Sequence, residues 1–331
     1  GTRYERLLVH YYRALNYVYL NEPDEALVEC RRGGKLLQQY ADADATYNFA
    51  GAAFIAYLSG IFNEWTGDWN DAYIAYRQAE AGYQRYNEHL GVPMPKDIGY
   101  ALVRLARMLG FKEDAERYVQ LYGEPPKPPP GSGEFILIYE SGFVPQKTEE
   151  NLVLPIFKTD KIEREGEAPA EQEGEEEKMW KFADELGQRR NLQYDEVKLD
   201  YLLRVAIPTY TSNRPKIAGV EAQVADKRAR GALAEDVEGD TLATFASEQK
   251  TILLRTTVRA LLKYLTFRRA EKKSDLAGRL VNIFNVATES ADTRSWETLP
   301  NQIFLVQMYL PAGTHDITLS FLDKNNQRVR T

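Results

Sequence analysis

Proton transfer and nucleophilic catalysis need particular side chains, and this chain of 331 residues has few of them. Histidine, the side chain that titrates nearest neutrality, occurs three times. His10 falls among tyrosines in a helical run and reads as a packing or hydrogen-bonding residue; His89 follows Asn87-Glu88 in an expected loop, and His315 sits in an expected turn. None has a nucleophile or metal partner nearby in sequence. No G-x-S-x-G elbow, H-E-x-x-H helix or G-x-x-x-x-G-K-[ST] loop occurs. Gly131-Ser-Gly133 precedes a strand instead of opening a helix, so it lacks the N-terminus that would cradle a phosphate. The acidic pairs Asp42/Asp44 and Asp68/Asp71 have the chemistry for calcium binding or glycoside hydrolysis, yet Asp and Asn beside Gly67 equally suit turns and helix caps. Cys30, the single cysteine, supports neither an internal disulfide nor a zinc cluster. The expectation is a non-enzyme, with no catalytic residue, cofactor or metal assigned.

Binding chemistry is better represented. Twenty-one tyrosines against four methionines supply large apolar faces with polar tips. Tyr11, Tyr19, Tyr57 and Tyr76 are candidates for lining a partner-binding groove. Arg255, Arg259 and Lys263 recur at four-residue spacing and continue into Arg268, Arg269, Lys272 and Lys273. Such a stripe would meet an anionic membrane surface or an acidic partner. Glu248, Glu271 and Asp275 dilute it, which favours a plain solvated face. Asp292, Arg294 and Trp296 alternate in a polar stretch and read as a structural junction into a following strand. A net charge of −7 removes the basic surplus of a nucleic-acid binder.

The elements that position these groups change character midway. In 4–20 the apolar residues recur every three or four positions, one face of a helix. Pro23 ends that run and suits the first turn of the next, 24–40. The same grammar returns in 47–65 with 70–86, broken by Gly67-Asp68, and in 97–109 with 112–121, broken by Gly110. Ala26, Ala72 and Ala115 begin the second helices 46 and then 43 residues apart, an internal repeat of helical hairpins. The middle copy fits a tetratricopeptide pattern best, through Gly60, Gly67, Ala72, Tyr76 and Ala79. Stacked hairpins of that type present a concave groove to another polypeptide.

A proline-rich stretch, 123–134, then predicts a semi-rigid linker between a repeat domain at 1–122 and a second domain at 135–331. Beyond it, 135–140, 151–157, 202–210, 216–224, 302–310 and 316–322 read as strands of a β-sandwich-like domain, with a hairpin turn at 311–314. Residues 162–178 hold eight glutamates by 177 and read as a solvated acidic insertion leading to a helix near 179–186. A long helical pair, 240–269 and 275–291, is the second insertion, with Leu254, Val258, Leu261, Leu262 and Leu265 as its seam. The fold class is therefore α+β multidomain.

Four stretches carry a resemblance: LLVHYYRALNYVYL at 7–20, EALVECRR at 25–32, GFVPQK at 142–147 and ADTRSWETLP at 291–300. The chain resembles an uncharacterised bacterial family of tetratricopeptide-containing cell-envelope lipoproteins. Membership would imply a periplasmic, outer-membrane-associated protein whose signal, lipid anchor and further repeats precede Gly1, and no enzymatic activity comes with the family. The leading expectation is an interaction scaffold or adaptor for other envelope proteins, bound through the repeat groove. An envelope carbohydrate- or peptidoglycan-acting hydrolase with an ungrouped carboxylate site, or a cytoplasmic peptide-binding regulator, are the alternatives.

Overall fold

The computed structural model describes residues 3–43, 52–158, 198–271 and 291–329. Six helices come first: α1 Arg3–Tyr19, α2 Pro23–Ala43, α3 Ala52–Thr66, α4 Trp69–Leu90, α5 Lys96–Met108 and α6 Lys112–Tyr122. They form three hairpins, as the repeat predicts. Each tight turn contains one residue in the left-handed region, Asn21 (φ 61°), Gly67 (φ 85°) and Gly110 (φ 80°), which reverses the chain within three residues. The repeat alanines Ala26, Ala72 and Ala115 are all buried where helices meet.

Close approach is set by glycine. A Cβ built on Gly82 would stand 2.9 Å from the Ala53 Cα, and one on Gly60 would meet the Tyr76 ring at 2.6 Å. Residues 53 and 60 of α3 thus face 82 and 76 of α4, an antiparallel pair. Tyr73 and Glu80 of α4 bond Asp114 and Tyr122 of α6 in the same chain direction, so α4 and α6 run parallel.

The remaining described elements are β1 Ser132–Ser141, β2 Gln146–Lys158, β3 Lys198–Thr211, β4 Gly219–Val224, β5 Lys227–Arg230, β6 Ala232–Glu235, α7 Val237–Glu271, β7 Gln302–Pro311 and β8 Thr318–Leu322. All six expected strands are present; β5 and β6, four residues each, are additional. They assemble into small antiparallel sheets ordered β1-β7-β6, β2-β3 and β5-β4-β8, in place of the expected sandwich. The turn at 311–314 is not a hairpin, because β7 pairs with β1 and β6 while β8 pairs with β4.

Strand period decides what the β1-β7-β6 sheet covers. Leu137 and Tyr139 of β1 stand opposite Val306 and Phe304 and pack with Val220, Ala222 and Phe321 of the β5-β4-β8 sheet. The alternate residues, Ile136, Ile138, Ile303 and Leu305, join the core of the six helices. The helices and this sheet consequently share one apolar core, and the proline-rich stretch does not separate two domains.

The chain divides instead into two compact units that cut across the boundaries expected at 122 and 134. One comprises Gly1–Thr148, Thr209–Lys250 and Thr293–Thr331; the other comprises Glu149–Pro208 and Thr251–Asp292. The expected acidic insertion at 162–178, the helix at 179–186 and nearly all of the helix at 275–291 lie outside the described residues.

Candidate functional site

The expected groove tyrosines separate sharply. Tyr11, Tyr57 and Tyr76 are buried, whereas Tyr19 is 91% exposed. Tyr11 packs its ring 5.3 Å from Phe54 and donates its hydroxyl to Glu140 of β1 at 2.8 Å. Tyr57 lies between the rings of Tyr76 and Tyr83. Two tyrosines of α4 that were not singled out in the sequence complete this face. Tyr83 donates to the Ala234 carbonyl at 2.7 Å, and Tyr86 accepts from the Asp236 amide at 2.9 Å while donating to Asp240 at 3.2 Å. The assignment of Tyr11, Tyr57 and Tyr76 to a partner groove is corrected: β1, β6, β7 and the start of α7 cover that face. Burial raises the phenols of Tyr57, Tyr76 and Tyr83 well above their ordinary value, so they remain neutral.

Tyr86 leads into a buried acidic node at the start of α7. Asp236 caps the helix by accepting the Gly239 amide at 3.2 Å and receives Arg214 in a two-pronged pair at 2.6 and 2.9 Å. Glu238 accepts from Ser212 and from the buried Asn301 amide, and Arg214 approaches it at 3.3 Å. The helix N-terminus and Arg214 together offset these charges. Burial, and then the charge and hydrogen bond of Asp240, push the Glu235 carboxyl well above the usual range. The node joins β6, α7 and the 301 turn. Among the described residues no group of three His, Cys, Asp or Glu side chains is arranged to hold a metal ion.

A cleft of about 390 Å³ opens beside the proline-rich stretch, lined by Asp97, Tyr100 and Arg104 of α5, Pro125, Glu134 of β1 and Tyr309 of β7. Arg104 is held by Glu64 at 2.5 and 3.0 Å. Burial raises Asp97, and burial followed by the charge of Glu64 raises Glu134, whose other near neighbours include Arg104 and Asp97. Lys227 fixes the rim by donating to the Tyr309 carbonyl at 2.8 Å. The sequence carried no signal grouping these two carboxyls, since 37 positions separate them.

The three hairpin turns carry a different set of residues. Tyr19 and Leu20 flank the first turn, Trp65 (47% exposed) and Trp69 the second, Met108 (53% exposed) and Phe111 the third; all six are exposed. Helix register places these turns on one edge. Cys30 of α2 meets Ser59 of α3 and Gly33 meets Ile55, an antiparallel run that brings the start of α2 to the end of α3. The Phe111 ring stands 5.3 Å from Tyr73 in the first turn of α4.

The other expected sites are placed as follows. His10 bonds buried Glu29 at 2.8 Å, with Arg13 and Arg32 on the same carboxylate. Burial opposes the Glu29 charge, but His10, Arg32 and Arg13 outweigh it and hold the carboxyl below its usual range. His89 lies in the last turn of α4, not in a loop, and His315 bonds the Pro311 carbonyl. Trp296 ties its segment to α1: its amide donates to Glu5 at 2.7 Å and its ring packs on Tyr12. Arg294 lies beside it in the unit containing α1, while Asp292 ends the other unit. On α7, Arg255 and Arg259 are exposed and Lys263 is half-buried. Of the expected seam, Leu254, Val258 and Leu261 are half-buried while Leu262 and Leu265 are exposed, and Thr256 and Ala260 are the buried residues there. Asp68 and Asp71 are exposed; Asp68 accepts the Thr66 hydroxyl at 3.3 Å without capping an α4 amide, and the Asp42/Asp44 side chains lie outside the described residues.

No protein-family model matches the chain. No curated protein matches it either. Among solved structures, the crystal structure of the TPR domain of FLU from Arabidopsis aligns over 36% of this chain and 93% of its own, at 19% identity and a TM-score of 0.29.

Proposed function

We propose that this chain is a non-enzymatic interaction scaffold of a bacterial cell-envelope assembly, engaging its partner through the turn edge of the helical hairpins instead of through the tyrosine face. One observation carries the reading: each of the three tight turns holds exposed aromatic or large aliphatic side chains, and of the six only Phe111 is seen packed on another ring, that of Tyr73. Large exposed apolar groups collected on one edge are unfavourable in water and favourable in an interface. The inner face supplies rigidity, because its tyrosines are consumed by β1, β6 and β7.

Capture from envelope extract tests this. Wild-type chain retains a reproducible partner that Trp65→Ser/Trp69→Ser loses, while Tyr83→Phe, which keeps the ring, retains it. Identical partner profiles for wild type and the double variant would refute the reading. The envelope compartment and lipid anchor rest on the likeness of 7–20, 142–147 and 291–300 to envelope lipoproteins, and a lipobox cysteine encoded upstream of Gly1 is the corresponding check.

A second reading draws on the cleft. Two carboxyls with raised proton affinity beside an arginine and two tyrosines resemble the acid half of a glycosidase site, which favours an envelope carbohydrate hydrolase. Turnover of peptidoglycan fragments that disappears in both Asp97→Asn and Glu134→Gln supports it; turnover unchanged in either variant removes it.

A further inference from the structure

The turn edge has a charge as well as a shape. Glu22, Asp24 and Glu25 stand at the first turn, all exposed, with no lysine or arginine between positions 19 and 25. The second turn carries exposed Asp68 and Asp71, again without a cation between 65 and 71. At the third, Glu113 and Asp114 sit with Lys112, and Arg107 on the same turn is paired with Glu124 at 2.8 Å. Asp114 is engaged by Tyr73 and, at 3.6 Å, by Arg117. The first-turn acids complement the dipoles of α2, α4 and α6. That role is satisfied by one carboxylate per helix, and it leaves the surplus at the first two turns facing solvent beside Tyr19, Leu20, Trp65 and Trp69. An anionic membrane is therefore repelled by this edge, and a cationic surface is attracted.

Spacing narrows the partner further. Side chains of α4 bond those of α6, and packed helices lie about 8–10 Å apart, so the second and third turns stand on the order of 10 Å apart along the edge. A helix laid along them advances about 10 Å in seven residues. Apolar residues repeating at i, i+3 or i+4, and i+7 would meet the successive turns, and lysines or arginines flanking that stripe would meet the acids.

We infer that the edge formed by Tyr19–Leu20, Trp65–Trp69 and Met108–Phe111, framed by Asp24, Glu25, Asp68 and Asp71, docks a basic amphipathic helix of a partner protein. The inference rests on the scaffold reading and assigns its partner a chemistry. Apolar anchors fill the spaces between turns and supply affinity, while the carboxylates steer approach and set orientation.

A synthetic helix with leucine at the i, i+3, i+4 and i+7 positions and lysine elsewhere is the probe, fluorescently labelled and titrated by anisotropy against the full chain. Its counterpart with glutamate for lysine is the control. The expected result is saturable binding of the lysine peptide, weakened at least tenfold by Trp65→Ser/Trp69→Ser, weakened similarly by Asp68→Lys/Asp71→Lys and by raising salt from 50 to about 500 mM, with no binding of the glutamate peptide. Unchanged far-UV circular dichroism and melting temperature show that the variants fold. Equal binding of the two peptides, or lysine-peptide binding indifferent to both variants, overturns the inference. So does a wild-type dimer that both variants dissociate, since the occupant would then be a second copy. If the probe fails while the tryptophan variant still loses a partner from envelope extract, the partner chemistry is wrong and the scaffold reading stands; if both fail, both readings fall.

Discussion

The two aromatic surfaces of the helical hairpins meet opposite fates. On the inner face, Tyr11, Tyr57, Tyr76, Tyr83 and Tyr86 are buried in the core that the helices share with the strands; on the turn edge, Tyr19, Trp65, Trp69 and Phe111 are exposed. The contrast shows that a hairpin repeat with a tyrosine-rich groove does not have to offer that groove to a partner. Here β6 and the start of α7 occupy it. Ala234 and Asp236 supply backbone partners to tyrosine hydroxyls that would otherwise be buried without a hydrogen bond.

The most forceful way to break this comparison is to remove an inner-face ring. Tyr83→Ala deletes a fully buried aromatic and a hydrogen bond to Ala234, and is expected to lower the urea unfolding free energy by about 3–5 kcal/mol. An outcome near zero would show that the inner face is loosely packed. Next, Gly82→Val drives side-chain atoms into the Ala53 backbone, where helices cannot separate cheaply; a loss of about 1–3 kcal/mol or more is expected in thermal melts.

A smaller, pH-dependent effect sharpens the account of the buried node. The folded chain keeps the Glu235 proton to a higher pH than the unfolded chain does, because burial and Asp240 disfavour its charge. Its contribution to stability is complete below the ordinary carboxylate range and is lost as pH rises through the elevated folded value. Glu235→Gln cannot ionise, so its stability relative to wild type should rise by on the order of 1 kcal/mol between pH 4 and pH 8. Glu29 has the opposite sign: its folded value is lowered, so its contribution is present above the ordinary range and is lost on acidification. The smallest effect belongs to the edge. Trp65→Ser and Trp69→Ser should each change stability by no more than about 0.5 kcal/mol, because water already covers much of both rings.

Local grammar made the hairpins legible. Over the described residues, apolar spacing, Pro23 and the repeated alanines located all six helices to within a few residues, and the period-2 runs located six strands. What escaped was non-local. β6 is only four residues, Ala232–Glu235, and reads as a fragment until β7 pairs with it. The tyrosines were recognised as important by type, but no spacing rule shows whether position 57 or position 19 faces solvent, because that depends on strands far along the chain. The proline-rich stretch misled for a physical reason: extended backbone can run along a shared core as readily as between two separate ones, and Pro125 lines a cleft with β1 and β7. The Asp97/Glu134 pair was invisible for the same reason as β6.

Residue-resolved amide hydrogen exchange of the full chain across a low-urea series reads whether the tyrosine face is closed by β6 and α7. The account predicts that amides of α4 around Tyr83–Tyr86 and of Ala232–Glu235 open in one cooperative step with the same free energy and urea dependence, while the tryptophan-bearing turn exchanges independently and faster. Rapid exchange of β6 and β7 at urea concentrations where α4 stays protected would contradict it, because the tyrosine face would then be open to a partner.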